Sequence, residues 1–206
     1  SEDMRLLATE HAAMVCGVVL GRGLVLAAAA GQARQHLIEA LLLSRDRDDG
    51  EVDRLAVHLG FDRSRQHYVM AVAAAGAQVG SGPSPVESLL TRLAPDAIVT
   101  ARTDEVVAIV PSNGATSVAE QGRVLARACM AAAGRRHRIA AIGIGGSCAA
   151  PAEIGRSYVE ARKALAAGER MGESNPITAF AELGIHRLLL RIPDMEDLRS
   201  FAEEVI

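Results

Sequence analysis

Residues 97–110 read Ala97-Ile98-Val99-Thr100-Ala101-Arg102-Thr103-Asp104-Glu105-Val106-Val107-Ala108-Ile109-Val110. Two short runs, Ala97 to Ala101 and Val106 to Val110, are apolar and rich in β-branched residues, and the four polar residues between them suit a hairpin. The pattern continues in both directions. Upstream, Pro85 to about Leu93 reads as a helix capped by Ser84, with Pro85 in the first turn where its missing N–H has no partner to lose. Before it, across a Gly/Ser/Pro loop from Gly76 to Pro85, His67 to Ala75 reads as a buried strand. Downstream, Ser117 to Ala133 reads as a helix ending at Gly134, with Val118, Leu125, Ala128, Cys129 and Ala132 on its inner face. Arg138 to Ile144 supplies a fourth strand. Strand, helix, hairpin, helix, strand is the split βαβ, ferredoxin-like order. The expected class is α+β, with a four-stranded antiparallel sheet covered by helices on one face.

Further elements flank this core. Glu51 to Leu59 reads as a short helix closed by Gly60, and Ala152 to Met171 as a long one with Ile154, Tyr158, Ala161 and Leu165 at core spacing. Pro176 to Phe180 suits a short strand, and two C-terminal helices, Glu182 to Leu190 and Met195 to Val205, are expected after it. At the other end, Ala12 to Gly31 carries only one charge, Arg22. Its acidic start is wrong for a signal peptide, and Arg22 at mid-bilayer would cost about 2.5 to 3.5 kcal/mol. A long helix continued by Leu37, Ile38, Leu41 and Leu42 is the better reading, and so apolar a helix must be buried by another domain or by a second copy.

The chain has 206 residues, 50% hydrophobic and 23% charged, which is enough for a sizeable core. Only Phe61, Tyr68, Tyr158, Phe180 and Phe201 are aromatic, and there is no Trp, which argues against a nucleic-acid surface built on stacking. The net charge of -3 supplies no broad cationic field for phosphate backbones or anionic lipid. Cys16, Cys129 and Cys148 are odd in number and far apart, so neither a disulfide framework nor a zinc site is suggested, and a reducing, cytoplasmic compartment is expected.

Three stretches carry a family resemblance. Ile139-Ala140-Ala141-Ile142-Gly143-Ile144-Gly145, then Ser157-Tyr158-Val159-Glu160-Ala161-Arg162-Lys163-Ala164-Leu165, then Phe180-Ala181-Glu182-Leu183-Gly184 with Leu188-Leu189, resemble the central domain of PucR/CdaR-type bacterial transcriptional regulators. His36 to Leu43 and Leu55 to Phe61 look like that family's entry segment. The domain is called GGDEF-like because it shares the nucleotide-cyclase fold. The resemblance implies three parts: a linker or dimerisation helix over residues 1–45, a degenerate GGDEF-like domain over 46–180, and C-terminal helices over 181–206. It also implies a homodimer, an upstream sensor domain, and a helix-turn-helix beyond Ile206 through which alone DNA would be bound, with no membrane partner.

Active cyclases of this fold hold GTP phosphates at a Gly-Gly-Asp/Glu-Glu-Phe turn and a metal at an aspartate ending the first strand. The matching turn here is Ala101-Arg102-Thr103-Asp104-Glu105, with side chains where glycine lets the backbone approach phosphate. The first strand, Tyr68-Val69-Met70-Ala71-Val72-Ala73-Ala74-Ala75, carries no oxygen ligand for a hard cation. The resemblance therefore implies no catalytic, cofactor-binding or metal-binding residues and no cofactor, with Asp104 and Glu105 as solvated turn residues.

Other motifs are weaker. Gly143-Ile144-Gly145-Gly146-Ser147-Cys148 begins like a dinucleotide fingerprint but has Cys148 at its sixth position, so a tight strand exit is preferred. Gly145-Gly146-Ser147-Cys148-Ala149 falls one residue short of a nucleophile elbow, and His186 would need Glu153, Glu160, Glu169, Glu173 or Glu182 as orienting acid. His11, His36, His58, His67, His137 and His186 form no i, i+4 pair, which favours surface or cap roles over metal. Asp46-Arg47-Asp48-Asp49-Gly50 misses EF-hand spacing and reads as a solvated loop with helix-capping acids. Arg135-Arg136-His137-Arg138 closes a helix, where positive charge complements the carbonyl end. Two functions follow as expectations. The first is a non-catalytic regulatory and dimerisation module relaying a sensor signal to a DNA-binding domain. The alternative is a stand-alone α+β domain binding a nucleotide or metabolite, or acting as an enzyme.

Overall fold

The computed structural model describes residues 14, 20–23, 25, 29–44, 48–74, 84–134, 139–171 and 176–184. They fall into two compact units, residues 1–40 and 41–206. In the first, residues 20–23 and 29–40 are helical, and Met14, Leu20 and Val25 are each more than two-thirds exposed. Among the described residues no helix is long and apolar enough to cross a membrane.

The second unit runs α1 (Asp49–His58), β1 (His67–Ala74), α2 (Pro85–Leu93), β2 (Ile98–Ala101), β3 (Glu105–Pro111), α3 (Val118–Ala133), β4 (Ile139–Cys148), α4 (Ile154–Met171) and β5 (Ile177–Ala179). This is the expected α+β class. Local chemistry accounts for the boundaries. Gly60 takes φ +77° after α1, a conformation other residues resist. Ser84 and Glu87 close a reciprocal capping box at the start of α2, and Ser117 caps α3 through Glu120 N.

The sheet order is β2-β3-β1-β4-β5. Among the first four strands every neighbouring pair is antiparallel, which is the ferredoxin-like split βαβ core, and β5 adds a fifth strand parallel to β4 through Ile142↔Ile177 and Ile144↔Ala179. The fifth strand is the short one expected within Pro176 to Phe180, and it joins the four-stranded core sheet beside β4. Helices also cover both faces rather than one. On one face Tyr68, Met70, Val72, Ile142 and Ile144 pack with Val86, Leu89 and Leu90 of α2 and Ala126, Cys129 and Ala133 of α3. On the other face lies α4, over a floor of Ala71, Ala73, Ala141, Gly143 and Gly145.

That floor explains a second correction. The glycines after Ile142 do not end the strand, because β4 continues to Cys148. They bring a helix backbone against a strand backbone. A Cβ on Gly143 would stand 2.1 Å from the Ala161 carbonyl oxygen, and one on Gly145 would stand 2.1 Å from that of Ser157. The inner face of α3 is likewise set by small residues: Gly122, Ala126, Cys129 and Ala133 are buried, whereas Ala132, expected inside, is exposed. A Cβ on Gly122 would meet Ile144 Cγ2 at 2.7 Å, so the helix turns its smallest residues, not its largest, toward the sheet. The two C-terminal helices, apart from Glu182–Gly184, lie outside the described residues. Phe180–Glu182 forms a 3-10 turn and Gly184 has φ +49°.

Candidate functional site

β1, flanked by β3 and β4, carries Ala73 at its C-terminal end, paired with Glu105 on one side and Ala141 on the other. Cross-strand partners share a face, so Glu105 projects to the α4 side of the sheet. There α4 places Tyr158 and, one turn later, Arg162. The Tyr158 hydroxyl donates to Glu105 Oε1 at 2.5 Å. Arg102, from the hairpin, donates to the Tyr158 oxygen, stands 3.7 Å from Glu105 Oε1, and has its guanidinium 5.5 Å from the Tyr158 ring centroid. Arg162 Nε lies 3.7 Å from Glu105 Oε2. Arginine, tyrosine and glutamate thus form a directed chain of donors ending on a carboxylate, each bond polarising the next.

Glu105 is therefore buried, not a solvated turn residue, while Asp104 is exposed as expected. The turn was legible in the sequence, but its partner was not. Glu105 opens a strand, and Tyr158 and Arg162 stand more than fifty residues away on a helix whose register depends on the glycine floor. The signal that could have found them is the spacing of Tyr158 and Arg162 at i, i+4, which puts an aromatic donor and a cation on one helical face.

The residues do not fit a hard divalent cation. Glu105 offers one carboxylate already held by a hydroxyl and faced by two guanidinium groups, and β1 ends in Ala73 and Ala74. Among the described residues no three His, Cys, Asp or Glu side chains converge as a metal site.

The remaining motif residues have structural partners. Ser157 Oγ donates to the Gly146 carbonyl at 2.6 Å and accepts from Val69 N at 3.0 Å. Glu160 Oε2 accepts from Gly146 N at 2.8 Å, and Glu153 Oε2 from Ala149 N at 2.7 Å. The register passes from Tyr68↔Ser147 to Met70↔Ile144, so Gly145 and Gly146 together face Val69 in a β-bulge. A bulge strands backbone groups, and Ser157 and Glu160 satisfy them. Neither glutamate is poised to orient a catalytic histidine. Asp48 occupies the N-cap position of α1 without a side-chain cap bond, and Asp49 and Gly50 are already helical. His58 sits at the end of α1 with Nδ1 2.7 Å from Arg54 O, and His36 is exposed, but His67 is buried, against the surface role expected of it. Arg135 to Arg138, His11 and His186 lie outside the described residues.

Burial dominates the acid–base behaviour here. It pushes the Tyr158 hydroxyl up to about 12, with the Glu105 bond adding to the effect, and pushes Tyr68 to about 12, Cys148 to about 12 and Cys129 to about 11. Each group holds its proton more tightly folded than unfolded, so its contribution is complete below the unfolded value and is lost as pH climbs to the folded one. Stability is expected to fall between pH 9 and 12. Tyr158→Phe should remove about 2 kcal/mol of that decline, as a two-unit shift implies. Urea unfolding at stepped pH reads this, and an unchanged slope in the variant would contradict the upward shift that burial imposes on Tyr158.

Comparison with known families places these features. A family model described as GGDEF-like domain matches residues 44–167, more than half of the chain. No curated protein matches it.

Proposed function

The chain belongs to the GGDEF-like domain family, and from that premise we propose that it is a non-catalytic regulatory module, in the manner of the central domain of a PucR/CdaR-type transcriptional regulator. The observation that carries this is Glu105. The carboxylate at the hairpin end of β3 is engaged by Tyr158, Arg102 and Arg162 instead of standing open beside a second carboxylate. Arg102, at a turn position where glycine would leave the backbone open to a phosphate, carries a side chain that lies over Tyr158. In this reading the hairpin is a fastening between sheet and α4, and the domain transmits rather than transforms. A sensor domain upstream and a DNA-binding domain downstream are the partners it implies, with DNA contacted only through the latter. The exposed apolar residues Met14, Leu20 and Val25 support a helix that pairs with a second copy. Cytoplasmic residence belongs to the same proposal.

The experiment is an assay for product. Purified protein incubated with GTP or ATP and either Mg²⁺ or Mn²⁺ should yield no cyclic mono- or dinucleotide. Turnover that depends on both protein and metal, and is lost in Glu105→Gln, would overturn the proposal.

A further inference from the structure

At the far end of β1 from the hairpin, on the order of 20 Å along the strand, the surface opens into a cavity of about 320 Å³. That volume is within the range of small-molecule sites. Its lining is mixed: Phe61, Ile98 and the half-buried Pro111 supply the apolar part, Ile109 lies fully covered behind them, and the Phe61 ring stacks on His67 with centroids 3.9 Å apart and planes 25° from parallel. The imidazole is buried at 3% exposure, which lowers its pKa and keeps it neutral, and its Nδ1 lies 3.0 Å from Arg65 O. With Nδ1 donating to that carbonyl, Nε2 is left as an acceptor.

The polar rim is rich in acceptors. Asp62 Oδ1 takes bonds from Ser64 N and Oγ, which hold its carboxyl below the usual range and so ionised. Asp96 is 73% exposed. The single cation, Arg65, is committed: Nε donates to Ser112 O at 3.2 Å, and one terminal nitrogen reaches Asp96 at 3.5 Å. Two carboxylates, one partly compensating guanidinium and a neutral imidazole disfavour an anion and favour a cation. We propose that this cavity is a binding site for a small organic amine, its ammonium held by Asp62 and Asp96 and its apolar body set against Phe61, Ile98 and Pro111. The site is separate from the Glu105 cluster and stands whether or not the protein is catalytic.

Three probes share one body and differ in charge: benzylamine, benzyl alcohol and benzoate. Titrated into the full chain and followed by NMR shifts of the Phe61 and His67 ring signals, benzylamine should saturate with an affinity at least about tenfold above either of the others. The Asp62→Asn, Asp96→Asn double variant should weaken benzylamine about tenfold or more, the loss expected when a charge-assisted partner is removed. Asp104→Asn, at the other end of the sheet, should change nothing. Both pocket aspartates are exposed enough that the double variant should keep its circular dichroism spectrum, and Asp96→Asn alone should weaken binding in the same direction. Benzoate binding as tightly as benzylamine, benzylamine indifferent to both variants, or no saturation by any probe at about 10 mM would each overturn the proposal.

Discussion

Gly145→Ala is expected to destabilise the domain by at least about 3 kcal/mol, and Gly143→Ala by as much. In both cases the added methyl would meet a carbonyl of α4 at 2.1 Å, so relief requires the helix to lift from the sheet, and with it the buried Ser157, Tyr158 and Ala161. Against a typical stability of about 5 to 15 kcal/mol this is a large share. Gly146→Ala is the contrast. Its methyl would meet only the Glu160 carboxylate tip, at 2.5 Å, which can swing aside at the cost of one hydrogen bond, about 1 kcal/mol. Urea unfolding followed by circular dichroism ranks the three. Gly145→Ala within 1 kcal/mol of the parent would refute the backbone-to-backbone approach.

Ser157→Ala should cost about 3 kcal/mol although it removes a single oxygen. That oxygen serves the Val69 N–H and the Gly146 carbonyl at once, and a buried backbone group left without a partner costs about 1 to 3 kcal/mol. Native-state hydrogen exchange gives the sharper reading, since Val69 should lose protection before the rest of β1. Uniform loss along the strand would assign the effect to general destabilisation instead of the bulge.

The element order was legible because each signal was local. Ser84-Pro85, Ser117 and Gly60 mark boundaries through their own backbone chemistry, and the alternation from hairpin to helix to strand is a periodicity any window detects. What failed to show depended on pairs distant in sequence. Gly143 and Gly145 look like an exit from a strand until a helix ten to twenty residues later is laid on them. Glu105 looks like one more polar turn residue until Tyr158 is brought over it. The stretch Ser157-Tyr158-Val159-Glu160-Ala161 was the most specific marker of resemblance, and its specificity has a physical content. Ser157 and Glu160 serve the bulge, Tyr158 holds Glu105, and Ala161 leaves room for Gly143. The both-faced burial of β1 was half visible, since His67 to Ala74 carries no charge and no alternation.

Of the five strands, that central one is also the earliest made and the one that waits longest for its second neighbour. On a ribosome β1 emerges well before β3, and the closing residue of β4, Cys148, follows His67 by some eighty positions. At about 5 to 20 residues per second, a run of eight residues that the finished sheet buries waits on the order of ten seconds for its second neighbour. Such a segment is what holdase chaperones capture and what self-associates when they are scarce. Yield of soluble protein should therefore depend on translation speed and temperature more than on the finished domain's stability.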